Sequence, residues 1–497
     1  MNDIRVTYSG LIAFTVAIIG VITGTIFVII VTRKLNPEDF GLWTLIGSLV
    51  GYVTIVEPIV TYWTTRQIAR GERIGKTAIS TSAMLSIAGF ITYFGIAIFV
   101  SYSLKADLSV LLVASFLVPI TFFTNILESI SLGYKPQNVS FGSLSFEITK
   151  IPLGIIFVVI FPFGIIGALI ATMGAGIIRL SFLIVMTKEH ISGIINKQTI
   201  KFWIKMSWLT IYQSIYGLIY KLDVLIFSLL TESLTGLAYW GAAAAISNLV
   251  VHSRNISQGL FPKLLSNARN EIAEENFKRT MYFAIPLLGA TIVFAKPIMH
   301  VLNPVYVEGY FIGILITLRS FSSMVMGFFL GIFESFETVD LDKQAHFRKY
   351  VRSNLFLTPT LMLILSGTYI IGLTIFLFLP VTDHMNDIDL VTVWSYILLF
   401  VTIGFTIITI ILVKKKYAIS IPLKEIGKYS IVTLLTSLLI YYIVETYLEY
   451  SKSVYEFIPQ LIPIIIFGGL VYFGITYVID NSTKILFKSI FKEILKK

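Results

Sequence analysis

Leu35 to Trp43 reads LNPEDFGLW, and Glu232 to Trp240 reads ESLTGLAYW. Each stretch sets acidic and cap-forming residues ahead of a Gly-Leu pair and a Trp, and each begins where a long apolar run stops. Acidic and cap-forming residues at such points suit the start of a new helix. The two stretches read as one device used twice, a tight turn between one long helix and the next. Between Gly41 and Gly236 lie six apolar runs with their connections. A chain of two parallel halves follows. Transporters use parallel repeats widely, with the binding site between the halves near the membrane midplane.

Composition sets the medium. Of 497 residues, 56% are hydrophobic and 13% charged, with a mean hydropathy of +0.85. Soluble domains carry about a quarter charged residues, so this is an all-α integral membrane protein. There is no cysteine, which excludes disulfides, thiol catalysis and Cys-ligated metals. His190, His252, His300, His346 and His384 form no metal-binding spacing, and no cofactor is expected. The net charge of +10 belongs to inner loops rather than to a nucleic-acid surface. Met1 to Ser9 is polar and leads into an apolar run without a small-residue cleavage site, so it reads as the start of a first span.

A crossing helix needs about 20 apolar residues. Fourteen intervals qualify: 10–32, 40–63, 77–102, 108–133, 138–160, 163–187, 206–230, 234–260, 281–302, 308–335, 353–379, 389–413, 429–448 and 458–480. With the N-terminus in the cytoplasm and the spans alternating, 28 of the 38 Lys and Arg fall inside, four outside and six within spans. A missed or extra span would scramble that asymmetry downstream. Both termini are therefore expected in the cytoplasm of a multi-pass plasma-membrane protein. The expected organisation is an N-terminal six-helix bundle over 1–187, a second over 206–413, two further helices over 429–480, and a cytoplasmic tail over 481–497. In the tail, Lys484, Lys488 and Lys492 recur every four residues among apolar ones, the pattern of an amphipathic helix on the inner leaflet. No loop has room for a folded catalytic domain, so the chain is expected not to be an enzyme.

Charges inside spans are costly and mark pathways or pairs. The basic ones are Lys150, Arg179, Lys221, Arg254, Lys296 and Arg319; the acidic ones are Glu57, Glu128, Glu147 and Asp223. Helical phase places Thr210, Ser214, Gly217, Lys221 and Ser228 on one stripe of the seventh span. Asp223 lies two residues from Lys221, off that stripe, so it is expected to reach a neighbouring helix. Ser247, Arg254 and Gln258 share a face of the eighth span, Thr172, Gly176 and Arg179 one of the sixth, and Arg319 lies beside Ser322 and Ser323 in the tenth. In the fifth, Ser143, Glu147, Lys150 and Gly154 align, with Glu147 and Lys150 at pairing distance. Two readings stand for each cation. Lys150, Arg179, Lys221, Arg254 and Arg319 line a basic cavity for a phosphate-bearing substrate, or each pairs between helices or snorkels. Lys296, beside Pro297 near an outer end, snorkels. Glu57, Glu128, Glu147 and Asp223 serve ion coupling, to a proton or Na⁺, or structural pairing. Pro58 also removes a helical N–H next to Glu57 and is expected to kink the second span.

The opening VIIVTRKLNPEDFGLWTLIGSLV resembles the first hairpin of the polysaccharide-biosynthesis flippases through Arg33, Leu35, Pro37, Glu38, Phe40 and Gly41. KLDVLIFSLLTESLTGLAYWGAAAAISNLV resembles their seventh and eighth spans through Asp223, Gly236 and Tyr239, and FAKPIMHVLNPVYVEGY their ninth-to-tenth connection. The resemblance implies the multidrug/oligosaccharidyl-lipid/polysaccharide (MOP) exporter fold, two six-helix bundles with two added helices, also found in MATE transporters. It implies passage of a polyprenyl-(pyro)phosphate-linked oligosaccharide from the cytoplasmic to the outer leaflet. Its partners would be that lipid-linked glycan, membrane lipids and glycan-assembly enzymes, with no nucleic acid, and the chain would act as a monomer. The rivals are a MATE-like multidrug antiporter, which would want a carboxylate-rich lobe, and a peptidoglycan-precursor flippase. A membrane glycosyltransferase would need a larger outer loop.

Overall fold

A computed structural model describes residues 6–191, 193–251, 270–337, 349, 351–480 and 483–484. Apolar runs of this length satisfy their own backbone groups only as helices when water is absent, and among the described residues each predicted span falls largely on helix. The first is α1 (Val6–Lys34). The second is two helices, α2 (Pro37–Val53) and α3 (Pro58–Ala69), joined by a 3₁₀ turn over Thr54–Val56. Pro58 is the cause. Having no N–H, it leaves the Thr54 carbonyl to Glu57 N–H at 3.0 Å, and Val60 and Thr61 N–H both turn back on the Glu57 carbonyl at 2.9 and 3.0 Å.

The third to sixth spans are α4 (Gly75–Leu104), α5 with α6 (Leu108–Ala114 and Leu117–Tyr134), α7 (Gln137–Gly154) with a π-helical extension over Ile155–Ile160, and α8 (Gly164–Thr187). The seventh, α9 (Lys197–Thr231), starts nine residues before the apolar run does. Asn196 caps it, its side chain accepting the N–H groups of Gln198 and Thr199 at 2.9 and 3.2 Å. The eighth, α10 (Leu234–Val251), runs to the edge of the described residues.

The ninth is α11 (Asn270–Val293) with α12 (Ala295–Leu302), bent by 65°. Pro297 cannot donate to the Val293 carbonyl four residues back, and α11 ends there. A 3₁₀ turn over Pro304–Gly309 leads into α13 (Tyr310–Ser335), followed by α14 (Asn354–Leu377), α15 (Asp387–Tyr417), α16 (Leu423–Tyr447) and α17 (Val454–Ile479). Among the described residues, 11 helices are long and apolar enough to cross a membrane, or up to 12 with the bent pair, and α1 and α10 occupy the two remaining predicted intervals. The tail over 481–497 lies outside the described residues except for Thr483 and Lys484.

The chain packs as two compact units, Met1–Gly241 with Pro359–Val391, and Ala242–Thr358 with Thr392–Lys497. The division falls inside α10, α14 and α15 rather than in loops. The sequence halves are defined by an internal repeat and these units by packing, so the two partitions describe different properties.

Within the first unit the repeated turns meet. Asn36 Oδ1 accepts Asp39 N–H at 2.7 Å, and Ser233 Oγ accepts Gly236 N–H at 2.8 Å, the same cap three residues ahead of the same step. A Cβ on Gly41 would lie 1.8 Å from the Leu234 carbonyl oxygen, so only glycine allows α2 to approach the start of α10. Lower in this unit, Trp203 is fully buried against Ile68, Ile126 and Leu183, and its indole N–H donates to Gln67 Oε1 at 2.9 Å. On α4, Ser86, Gly89, Tyr93 and Ala97 face the protein, while Ile87, Ile91 and Ile98 remain exposed. Small residues inward and branched apolar ones outward is the pattern lipid selects.

Candidate functional site

The break between α2 and α3 opens a polar cavity in the first unit, of about 380 Å³. Gly51, Thr54, Glu57 and Thr61 line one wall, Asn125, Glu128 and Ser129 of α6 a second, and Lys221 of α9 a third. The three sequence-selected ionisable residues here are in different states.

Glu57 is buried, with 8% of its surface exposed. Its Oε2 accepts the Asn125 side-chain amide, and its Oε1 is buried without a hydrogen-bond partner among the described residues. Glu128 accepts Arg179 of α8 as an ion pair, and Arg179 also donates to Ser143 Oγ at 3.2 Å. Lys221 is exposed, with no ion-pair partner among the described residues. Its backbone carbonyl accepts the Tyr52 hydroxyl, which fixes that turn of α9 against α2. Its ammonium sits over Gly51, where a Cβ would come within 3.1 Å of Nζ.

A second cluster forms between α1 and α7. Glu147 Oε2 lies 2.7 Å from Lys150 Nζ, the i,i+3 pair expected from helical phase, and also accepts the Thr23 hydroxyl. Lys150 is 8% exposed, and its ammonium lies 5.2 Å and 5.8 Å from the ring centroids of Phe146 and Phe27. A lysine whose charge meets a carboxylate and two aromatic faces is a satisfied internal group. Two of the five cations selected from sequence, Lys150 and Arg179, are therefore already held by carboxylates.

Asp223 is not part of the cavity. It is buried, its Oδ2 accepts the Tyr369 hydroxyl of α14 at 2.7 Å, and its Oδ1 accepts Val224 N–H at 2.7 Å. The hydroxyl stripe of the seventh span does not form a wet face. Thr210 and Ser228 are buried, and Thr210, Ser214 and Ser228 donate to the carbonyls of Ser207, Thr210 and Leu225 on their own helix at 3.0, 2.8 and 3.0 Å. Ser and Thr in apolar helices turn back on the preceding turn when no better acceptor is near. Arg319 is half-buried in the second unit, where its neighbour Ser322 bonds Thr406 of α15 at 2.9 Å. Lys296 lies 5.4 Å from the Tyr450 ring. Arg254 lies outside the described residues.

Sequence reading missed Asn125, Tyr52, Tyr369 and Gly51. Asn125 alone gave a signal, as a lone amide in an apolar span three residues before Glu128. The second unit contains a cavity of different character, about 240 Å³ among α11, α16 and α17. It is walled by Phe283, Leu287, Ile440, Ile465 and Phe473, with Thr433 and Thr436 hydroxyls that have no partner among the described residues. It offers no charged side chain. Among the described residues no group of His, Cys, Asp and Glu could hold a metal ion.

No protein-family model and no curated protein matches the sequence. Solved structures match by shape. The lipid II flippase MurJ in an inward closed conformation superposes with a TM-score of 0.69 at 14% identity, covering 98% of this chain and 100% of that one. An inward-facing MATE family multidrug resistance transporter of the MOP superfamily gives 0.60 at 12% identity, covering 82% and 99%. The MATE multidrug transporter DinF-BH, solved as a complex, gives 0.57 at 15% identity, covering 82% and 95%. At these identities the likeness is one of fold, and this chain has the fold of MOP-superfamily transporters. The multidrug transporters cover 82% of this chain, whereas the flippase covers nearly all of it.

Proposed function

We propose that the chain is a flippase that carries a polyprenyl-(pyro)phosphate-linked oligosaccharide from the cytoplasmic to the outer leaflet by alternating access, with Lys221 holding the phosphate. One observation carries the reading: a lysine without a carboxylate partner among the described residues, set on the wall of an open polar cavity within an apolar protein. An ammonium on the wall of a cavity between apolar helices attracts an anion more strongly than the same charge in bulk water. The fold supports the reading, since the lipid II flippase shares it through the last two helices. Lys150 and Arg179 are assigned to the walls, because their charges are taken up by Glu147 and Glu128. The chain works as a monomer in the plasma membrane with both termini cytoplasmic, and delivers its glycan to assembly enzymes outside.

A second reading rests on Glu57. An unpaired buried carboxylate in the same cavity suits an organic cation, the substrate class of a multidrug antiporter. Liposomes containing a fluorescent polyprenyl-pyrophosphate oligosaccharide separate the two. Protein-dependent exposure of the label on the far leaflet, reduced at least tenfold by Lys221→Gln at equal expression, is the expected result. Efflux of an organic cation under a proton or Na⁺ gradient, with no lipid exposure, would replace the flippase by the antiporter. A peptidoglycan precursor flipped in preference to other glycans would keep the mechanism and change only the sugar.

A further inference from the structure

We infer that Glu57 takes up a proton whenever the cavity binds its anion, so that each lipid phosphate loaded at Lys221 enters with one proton. The inference rests on the reading of Lys221 as the phosphate site. It starts from the ionisable groups that face the cavity, which among the described residues are Glu57, Glu128 and Lys221. Glu128 is neutralised by Arg179. That leaves one carboxylate and one ammonium on different helices, too far apart to form an ion pair.

The two are still close enough to feel each other. Lys221 Nζ stands over Gly51, and Glu57 lies six residues further along the same broken helix. At a rise of 1.5 Å per residue that is about 9 Å. With Glu57 ionised, the empty cavity holds one carboxylate and one ammonium, and their charges cancel. A phosphate changes this, because it cancels the ammonium and adds negative charge of its own. Glu57 would then be an ionised carboxylate, 8% exposed, with one oxygen lacking any hydrogen-bond donor among the described residues and no cation to face. A proton on that oxygen removes the buried charge. The Asn125 amide is a suitable companion, since it bonds the other oxygen in either state. With an effective dielectric of about 20, each unit of phosphate charge favours the proton-bound cavity by a factor of about ten to thirty. Linkage makes this reciprocal: losing the proton weakens the anion by the same factor. Affinity is thus full at low pH, falls about ten- to thirtyfold for each unit of anion charge as pH rises through the titration of Glu57 in the complex, and then levels off.

Calorimetry on the purified full chain tests this with geranyl pyrophosphate as probe. Titrations in two buffers of different ionisation enthalpy count the protons taken up per probe bound. The expected count for the unaltered protein, after subtraction of the free probe's own protonation, approaches one where affinity is falling. Glu57→Gln is expected to abolish that proton and to bind with an affinity that varies with pH only as the probe's charge does. A zero count in the unaltered protein overturns the coupling and leaves the anion site standing, and this measurement does not depend on the variant folding. Binding that follows Na⁺ concentration at fixed pH without proton uptake overturns it in favour of a sodium ion at Glu57. Absence of binding at every pH overturns the anion site, and the coupling with it.

Discussion

The α7–α8 side of the first unit and the α2–α9 side carry similar charges and use them differently. On the first, Glu147 meets Lys150 along one helix, and Arg179 of α8 reaches Glu128 of α6. On the second, Glu57 and Lys221 share a cavity without forming a pair. Bringing an ion pair out of water gains little unless its geometry is good, and removing one member leaves a charge stranded. On the proposed function the paired side is structural, its charges taken up within the protein. The unpaired side holds its charges ready. Counting intramembrane cations overstates the capacity to bind an anion; what matters is which of them a carboxylate has not already claimed.

The largest effect is expected from breaking the paired side. Arg179→Ala leaves Glu128 mostly buried without its guanidinium, and should destabilise the protein by about 3–5 kcal/mol in detergent unfolding. Adding Glu128→Gln should recover most of that loss, because the stranded charge goes with its partner. If Arg179→Ala is as stable as the parent, the pair is not structural and the distinction between the two sides fails. Asp223 offers an intermediate case, a buried carboxylate that accepts a hydroxyl and a backbone amide. Tyr369→Phe removes one donor and should cost about 1.5–3 kcal/mol. Lys221→Gln, which strands nothing, should change stability by less than about 0.5 kcal/mol while removing transport.

These contrasts show what the sequence could and could not convey. Apolar runs located the long helices among the described residues, because length and hydropathy are local properties that lipid reads directly. The kink at Glu57-Pro58 and the Glu147–Lys150 pair were legible for the same reason: each involves residues within one turn. The partner of Arg179 was not, since Glu128 lies 51 residues away on another helix. Helical phase states which face a residue occupies and says nothing of which neighbour faces it. The hydroxyl stripe misled in an instructive way. Polar residues at cavity-like spacing turned out to satisfy themselves on their own backbone, which a lysine cannot do. Lys221 was thus the informative member of that stripe, and Thr210 and Ser228 were not.

The smallest structural perturbation gives the sharpest view of the unpaired side. Gly51 presents no side chain beneath the Lys221 ammonium, and a Cβ there would stand 3.1 Å from Nζ. Because the crowded atom is the end of a flexible chain, Gly51→Ala should be accommodated by a lysine rotamer change and not by movement of backbone. Replacing Gly by Ala inside a helix is favourable by up to about 1 kcal/mol, so the variant should be as stable as the parent or slightly more so. The ammonium would nevertheless be displaced from its place between α2 and α9. If its position is what makes the cavity an anion site, geranyl pyrophosphate should bind several-fold more weakly to Gly51→Ala despite the unchanged charge. Equal affinity would mean that Lys221 acts only as a mobile charge at the cavity mouth. A loss of stability would mean that Gly51 is needed for helix packing, and that the lysine above it is incidental.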